Sequence, residues 1–460
     1  MPHDTAIAEL KSLLGDRLVS SQADRDLHGQ NESYHPTLLP DAVAYPETTQ
    51  EVSEIVKICA AHDCPVTPYG AASSLEGQHL ATKGGISLDT SRMNKLLNVN
   101  DEDLNVVVQP GLTRIELNEE LRATGLFFPL DPGANASLGG MAATRASGTT
   151  AVRYGTMADS VLALEAVMAD GTIIRTGSQA RKSSTGYDLT HLLIGSEGTL
   201  GIITELTLKL QGIPEAASAA TCRFESVEEA VNCVILTIQS GLPMARIELI
   251  DELMVRGFNV YSDAGLPEKP HLFVEFHGTP SAVAEQAALF GEIAEDFGAT
   301  GFEHAEKTED RNKLWTMRHN AHHANKALAP GKGIISTDVC VPISKLAEAI
   351  VEAQDKARDM GLSCAIVGHV GDGNYHCGLN VDTSDAEEMK TAKAFVGILN
   401  DSALRLGGTV SGEHGIGMGK TAYMHAEHGP ALAYMRAIKT ALDPKGILNP
   451  GKILPATNHH

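Results

Sequence analysis

"DAVAYPETTQEVSEIVKICAAHDCPVTPYGAASSLEGQ" runs from Asp41 to Gln78, and its reading sets the architecture. Ala42–Tyr45 has strand character, and Pro46 with Thr48 and Thr49 marks a helix start. Val52, Ile55, Val56, Ile58 and Cys59 then recur at near-helical spacing. "CPVTPYG" reads as a second strand that ends in a loop of small residues. The stretch therefore predicts a β-α-β unit. Its exit loop, Pro65–Gln78, can turn backbone N–H groups toward phosphate oxygens. It is not a GxGxxG fingerprint, and alone it would pass for an ordinary turn.

Two further Gly-rich segments change its weight: Pro129–Gly155 ("PLDPGANASLGGMAATRASGTTAVRYG") and Gly195–Glu205 ("GSEGTLGIITE"). Three such stretches among frequent strands suit a long dinucleotide held in an extended pose. Asp170-Gly171 between two apolar runs signals a hairpin. "QGIPEAASAA", Gln211–Ala220, interrupts the pattern and is the expected domain boundary. Beyond it, strands alternate with long helices, which predicts a second layer built on an antiparallel sheet. The expected domains are a helical N-terminal segment (1–37), a first domain (38–213) and a second domain (214–460) whose tail, 425–460, returns to the first.

Bulk properties narrow the classes. With 460 residues the chain is too long for one ordinary core. Its 36 basic and 58 acidic residues give a net charge of -22, which disfavours nucleic acid and anionic lipid as partners. No apolar run is long enough to span a bilayer and no secretory signal is visible. Seven cysteines without a CxxC suggest a reducing compartment. The expected location is the cytoplasm, with attachment at the periphery of the inner membrane left open. The ending "NHH" is either native or a tag remnant.

The chemistry-bearing stretch is "AIVGHVGDGNYHCGLNV", Ala365–Val381. A two-residue type I′ turn on Asp372-Gly373 would set His369 opposite His376, with Cβ atoms about 5 Å apart. Two imidazoles so placed can share a metal ion. "GGTVSGEHGIGMGK", Gly407–Lys420, supplies a third candidate ligand, Glu413, in a loop of glycines. Two His and one Glu accept Zn²⁺ or Mn²⁺ and leave positions open for substrate. "HGIGMGKT" nearly matches a P-loop, but His414 stands where its first Gly should be, so ATP is not expected.

At this point the residues resemble a known family. "PYGAASSLEGQ", "DPGANASLGG…ASGTTAVRYGT" and "GSEGTLGIIT" resemble the PCMH-type FAD-binding domain of the vanillyl-alcohol oxidase superfamily. "GHVGDGNYH", "SGEHGIG" and "LDPKGILNPGK" resemble the C-terminal domain of FAD-linked oxidases. "LWTMRHNA" and "STDVCVPIS" are similar to the cytochrome-type D-lactate dehydrogenases among D-2-hydroxy acid dehydrogenases. The resemblance implies an α+β fold, with a ferredoxin-like α/β substrate (cap) domain following the PCMH-type domain. It implies FAD held by Pro68, Tyr69, Gly70, Ala71, Ala72, Ser73, Ser74, Gly77 and Gln78, then by Pro132, Gly133, Gly139, Gly140, Thr144, Ser147, Gly148 and Tyr154. Glu197, Gly198, Gly201, Ile202, Ile203 and Asn449 complete the implied set. Tyr69–Gln78 holds no His, so the FAD is expected to be non-covalent.

The implied reaction is oxidation of a D-2-hydroxy acid, D-lactate first, to the 2-oxo acid, with hydride passing to the flavin. Arg318, one turn after Trp315, is the expected grip on the substrate carboxylate, because a guanidinium binds carboxylates in bidentate fashion. His414, next to Glu413, is the expected base. Relatives acting on 2-hydroxyglutarate carry a Lys where this chain has Ser336, which favours a monocarboxylate, although His322 and His323 can supply polar contacts. D-2-hydroxyglutarate and glycolate dehydrogenases are the alternatives within the family; a metallohydrolase or a non-catalytic flavin-binding protein are those outside it. The electron acceptor is expected to be external, a cytochrome, a quinone or an electron-transfer flavoprotein. Assembly as a homodimer is compatible with the sequence.

Overall fold

The computed structural model describes residues 3–305 and 307–456; the expectation for the terminal "NHH" lies outside them. The chain forms two compact units. The first comprises the chain up to Ser147, Thr156–Ile213 and the chain from Glu413; the second comprises Gly148–Gly155 and Pro214–Gly412.

In the first unit Thr48 caps the helix Thr49–Ala61 by accepting the Glu51 N–H, and Val52, Ile55, Val56 and Cys59 form its buried stripe. That stripe packs into one core with Ala6, Leu10 and Leu14 of the helix Asp4–Leu14. The strands on either side of the helix, Ala42–Ala44 and Val66–Tyr69, do not pair with each other. Ile86–Asp89 lies between them, parallel to both. A five-stranded sheet follows in the order Leu96–Asn100, Asn105–Val108, Ile202–Lys209, Val161–Val167, Ile173–Gly177, antiparallel throughout. The Asp170-Gly171 hairpin joins its last two strands, with Gly171 at φ +81°. The C-terminal segment adds to the edge of the parallel sheet: the Val66 N–H donates to Ile447 O, and the Asn449 N–H donates to Val66 O, both at 2.8 Å.

In the second unit the strands Ala216–Arg223, Met244–Ile250, His271–Gly278 and Thr300–Ala305 stand in the spatial order fourth, first, third, second. Helices Val227–Gln239 and Pro280–Asp296 connect the first to the second and the third to the fourth, which is the ferredoxin-like arrangement. The sheet then continues from Met244–Ile250 through Cys364–Gly368 and Asn374–Val381 to Gly333–Ser336. Ile250, Val255, Phe258, Phe273, Leu314 and Trp315 share a core on one face. Burying each such side chain is worth about 1.5–3 kcal/mol. This core holds the helix Thr308–His319 against the sheet.

Candidate active site

The hairpin that carries the two histidines differs from the two-residue turn expected for it. Strand pairing ends at Val367 opposite His376, so His369 lies outside the ladder. Val370–Asp372 form a 3-10 turn, with the His369 carbonyl accepting the Asp372 N–H at 3.0 Å and the Asn374 N–H at 3.3 Å. The cause is close packing. A Cβ on Gly371 would stand 2.6 Å from Val152 Cγ2 and 2.7 Å from Ile247 Cγ2, and Gly373 (φ +79°) lies under Val341 O. The rings still meet, with centroids 5.4 Å apart and planes at 84°. The opposition of the imidazoles was foreseen, but the register that brings it about was not.

Each ring is fixed through Nδ1. His369 Nδ1 lies 2.7 Å from Glu248 Oε1, and His376 Nδ1 lies 3.0 Å from Thr337 O. Both partners are acceptors, so both rings carry their proton on Nδ1 and present the Nε2 lone pair. That is the usual arrangement of metal-binding histidines. One donor atom from each of His369, His376 and Glu413 lies within 4.8 Å of the others. Asp338, fully buried, braces the second ring's surroundings: its two oxygens accept from Asn374 Nδ2 and Ser411 Oγ, both at 2.7 Å. The donor types and their outer hydrogen bonds fit a divalent cation.

Glu248 is also fully buried, and its other oxygen accepts from Arg318 Nε at 2.9 Å and Nη2 at 2.6 Å. Arg318 does grip a carboxylate, and the carboxylate is internal. A second buried carboxylate, Glu275, stands on the neighbouring strand. It accepts from His277 Nε2 at 2.7 Å and Trp315 Nε1 at 2.5 Å, and lies 3.4 Å from Arg246 Nη1. Burial alone would raise the Glu275 carboxyl; the His277 bond, the Arg246 charge and the Trp315 bond outweigh it and hold the group below its usual range. His277 Nδ1 in turn meets the Tyr154 hydroxyl at 2.8 Å. Burial raises the pKa of that phenol.

Sequence reasoning missed Glu248, Glu275, His277, Arg246 and Asp338. A signal existed in "MARIELI" and "HLFVEFHG": charged residues at alternate positions of otherwise apolar strands. Buried charges are rare unless paired.

In the first unit, Pro68 and Tyr69 close the strand Val66–Tyr69, and Gly70 to Gln78 form the loop after it. A Cβ on Gly70 would stand 2.4 Å from Ser137 Oγ, and one on Gly140 2.9 Å from the same atom. Ser137 Oγ is buried and finds no hydrogen-bond partner among the described residues. Glycines facing an unsatisfied hydroxyl make a cradle that fits a cofactor phosphate. Gly139, Gly140, Thr144 and Ser147 belong to this unit, Gly148 and Tyr154 to the other.

Gln78, Glu197 and Asn449 knit the loops together. Asn449 Nδ2 donates to Gln78 O at 2.9 Å and Glu197 O at 2.7 Å. The Glu197 carboxylate accepts the Ile416 N–H at 2.8 Å and the Gly417 N–H at 2.9 Å, and Gln78 Nε2 donates to His414 O at 2.7 Å. Complete burial nevertheless raises the Glu197 pKa. The near P-loop thus spends its N–H groups on Glu197, and the segment after His414 is held rigidly. Ala72, Glu197 and Asn449 have φ of 55°, 52° and 38°, a strained region for residues other than Gly and one that recurs at functional sites.

Residues 213–453 match the family described as FAD linked oxidases, C-terminal domain, and residues 40–177 match an FAD binding domain. The chain belongs to the FAD-linked oxidase family. Relatives in this family include the probable mitochondrial D-lactate dehydrogenase of Danio rerio, 45% identical over 99% of this chain and 92% of that protein. Another is the mitochondrial D-lactate dehydrogenase [cytochrome] of Arabidopsis thaliana, 44% identical over 98% of this chain and 80% of that protein. Among solved structures, p-cresol methylhydroxylase with substrate bound superposes with a TM-score of 0.83 at 19% identity, covering 98% of this chain and 96% of that one. The fold is thus the PCMH-type FAD-binding fold expected from the Gly-rich segments, and the chain is an FAD-dependent oxidoreductase. Among the described residues no helix is long and apolar enough to cross a membrane.

Proposed function

We propose that this FAD-linked oxidase oxidises a D-2-hydroxy acid, D-lactate in the first place, to the 2-oxo acid and passes the electrons to an external acceptor, a cytochrome by likeness to its relatives. The observation that carries the reading is the pair of imidazoles preset as Nδ1–H tautomers beside Glu413, in a chain alike over nearly its whole length to two D-lactate dehydrogenases. Non-covalent FAD, held by the Gly-rich loops of the first unit, supplies the hydride acceptor. A divalent cation, Zn²⁺ or Mn²⁺, held by His369, His376 and Glu413 supplies a Lewis acid that makes the substrate hydroxyl more acidic.

The protein's own groups do the rest. Glu248 and the Thr337 carbonyl keep both imidazoles in the ligating tautomer. His414 accepts the hydroxyl proton, and its main chain is fixed by Gln78 while the residues after it are fixed by Glu197. The substrate carboxylate needs a guanidinium, and the second unit places two, Arg246 and Arg318, beside one sheet face. Ser336 supplies no cation for a second carboxylate, which supports a monocarboxylate.

Anaerobic addition of D-lactate should bleach the flavin absorbance near ~450 nm, a property of the cofactor, while L-lactate leaves it intact. A flavin that no D-2-hydroxy acid bleaches would refute the proposal.

A further inference from the structure

We propose that the two arginines beside this face divide the work: Arg318 positions the metal-ligand candidate His369 through Glu248, and Arg246 receives the substrate carboxylate. The second half rests on the proposed oxidation of a hydroxy acid; the first half does not.

Arg318 places two donors, Nε and Nη2, on one oxygen of Glu248, at 2.9 and 2.6 Å. The other oxygen of Glu248 takes the His369 Nδ1 proton at 2.7 Å. A ligand carboxylate arriving at Arg318 would have to displace a carboxylate that has no exposed surface. It would leave that charge buried without its counter-ion and would loosen the acceptor that orients His369. Arg318 is therefore a positioning residue that acts through Glu248.

Arg246 is held differently. Its guanidinium stacks on the Trp315 indole, 4.5 Å from the ring centroid. Its ion pair with Glu275 is long at 3.4 Å, and both Glu275 oxygens already take shorter bonds from His277 and Trp315. Its side chain is 16% exposed, against 9% for Arg318. Arg246 and Glu248 are two residues apart on one strand, so they share a face and stand roughly 7 Å apart along it. The stack fixes the plane of the guanidinium, which is what a bidentate carboxylate bond requires. Such a site offers one available cation and favours a substrate with one carboxylate.

The test uses FAD-loaded protein, stripped of metal by chelation and titrated with Mn²⁺ or Zn²⁺ alone. KM for D-lactate is then measured on metal-saturated samples. Arg318→Gln and Glu248→Gln should weaken metal binding about 10- to 100-fold. Arg246→Gln should leave metal binding unchanged and raise KM about 10- to 100-fold. Unchanged metal affinity in both Arg318→Gln and Glu248→Gln overturns the positioning role; an unchanged KM in Arg246→Gln overturns the carboxylate role. Flavin absorbance and Tm report folding. Should Arg318→Gln fail to fold, Arg318→Lys, which keeps a cation for Glu248, carries the arm and should restore part of the metal affinity. If wild-type protein reduces its flavin with no D-2-hydroxy acid, the oxidation reading and the carboxylate role fall together, while the metal titration still decides the role of Arg318.

Discussion

At the scale of single residues, the second unit buries carboxylates and gives each its donors. Glu248 joins Arg318 to His369, and Glu275 joins Arg246, Trp315 and His277. His369→Ala should abolish metal binding and flavin reduction by D-lactate while leaving FAD in place; wild-type reduction rates in that variant after chelation would remove the cation from the mechanism. His414→Ala should keep both FAD and metal and slow flavin reduction by about 10²–10⁴-fold, the range of general-base catalysis. Loss of metal in that variant would make His414 a ligand. The candidate ligands were legible because His369, His376 and Glu413 sit in Gly-rich turns, where local spacing carries information. Glu248 was not, because its partner His369 lies 121 residues away, and only the sheet brings strand Met244–Ile250 beside strand Cys364–Gly368.

At the scale of elements, caps and buried stripes were plain in the sequence, but sheet order was not. Thr48 and the stripe from Val52 to Cys59 identify their helix, yet nothing local says that Ile86–Asp89 inserts between the strands flanking it. One cap has a measurable consequence. Asp251 begins the helix Glu252–Ser262, accepting the Met254 N–H at 2.8 Å. Burial, partly opposed by that N–H, pushes its carboxyl from 3.8 up to about 8. Between these values the folded protein holds a proton that the unfolded chain has released. This contribution to stability therefore falls as pH rises from about 4 to about 8. Asp251→Asn keeps an acceptor for the cap without the charge, so its Tm should decline less with pH across that window. Parallel Tm profiles for wild type and variant would show that Asp251 does not titrate there.

At the scale of the whole molecule, the net charge of -22 sets the terms of association. A basic acceptor such as a cationic cytochrome would be steered toward it. Steady-state cytochrome reduction should therefore slow as ionic strength rises, with flavin bleaching by D-lactate much less affected. A turnover rate flat in salt would argue against steering. The implied non-covalent flavin predicts that acid precipitation releases all the yellow colour into the supernatant; colour left in the pellet would mean a covalent bond.

The first unit is assembled from separated stretches of chain, and its parallel sheet takes Ile447–Asn449 onto the exposed edge of Val66–Tyr69. Synthesis runs from the N-terminus, so that edge stays uncovered until almost the last residues leave the ribosome. The segment from Pro214 to Gly412 is complete earlier. The part begun first is thus finished last, and the nascent chain carries an open strand edge for most of its synthesis, the kind of surface that chaperones shield.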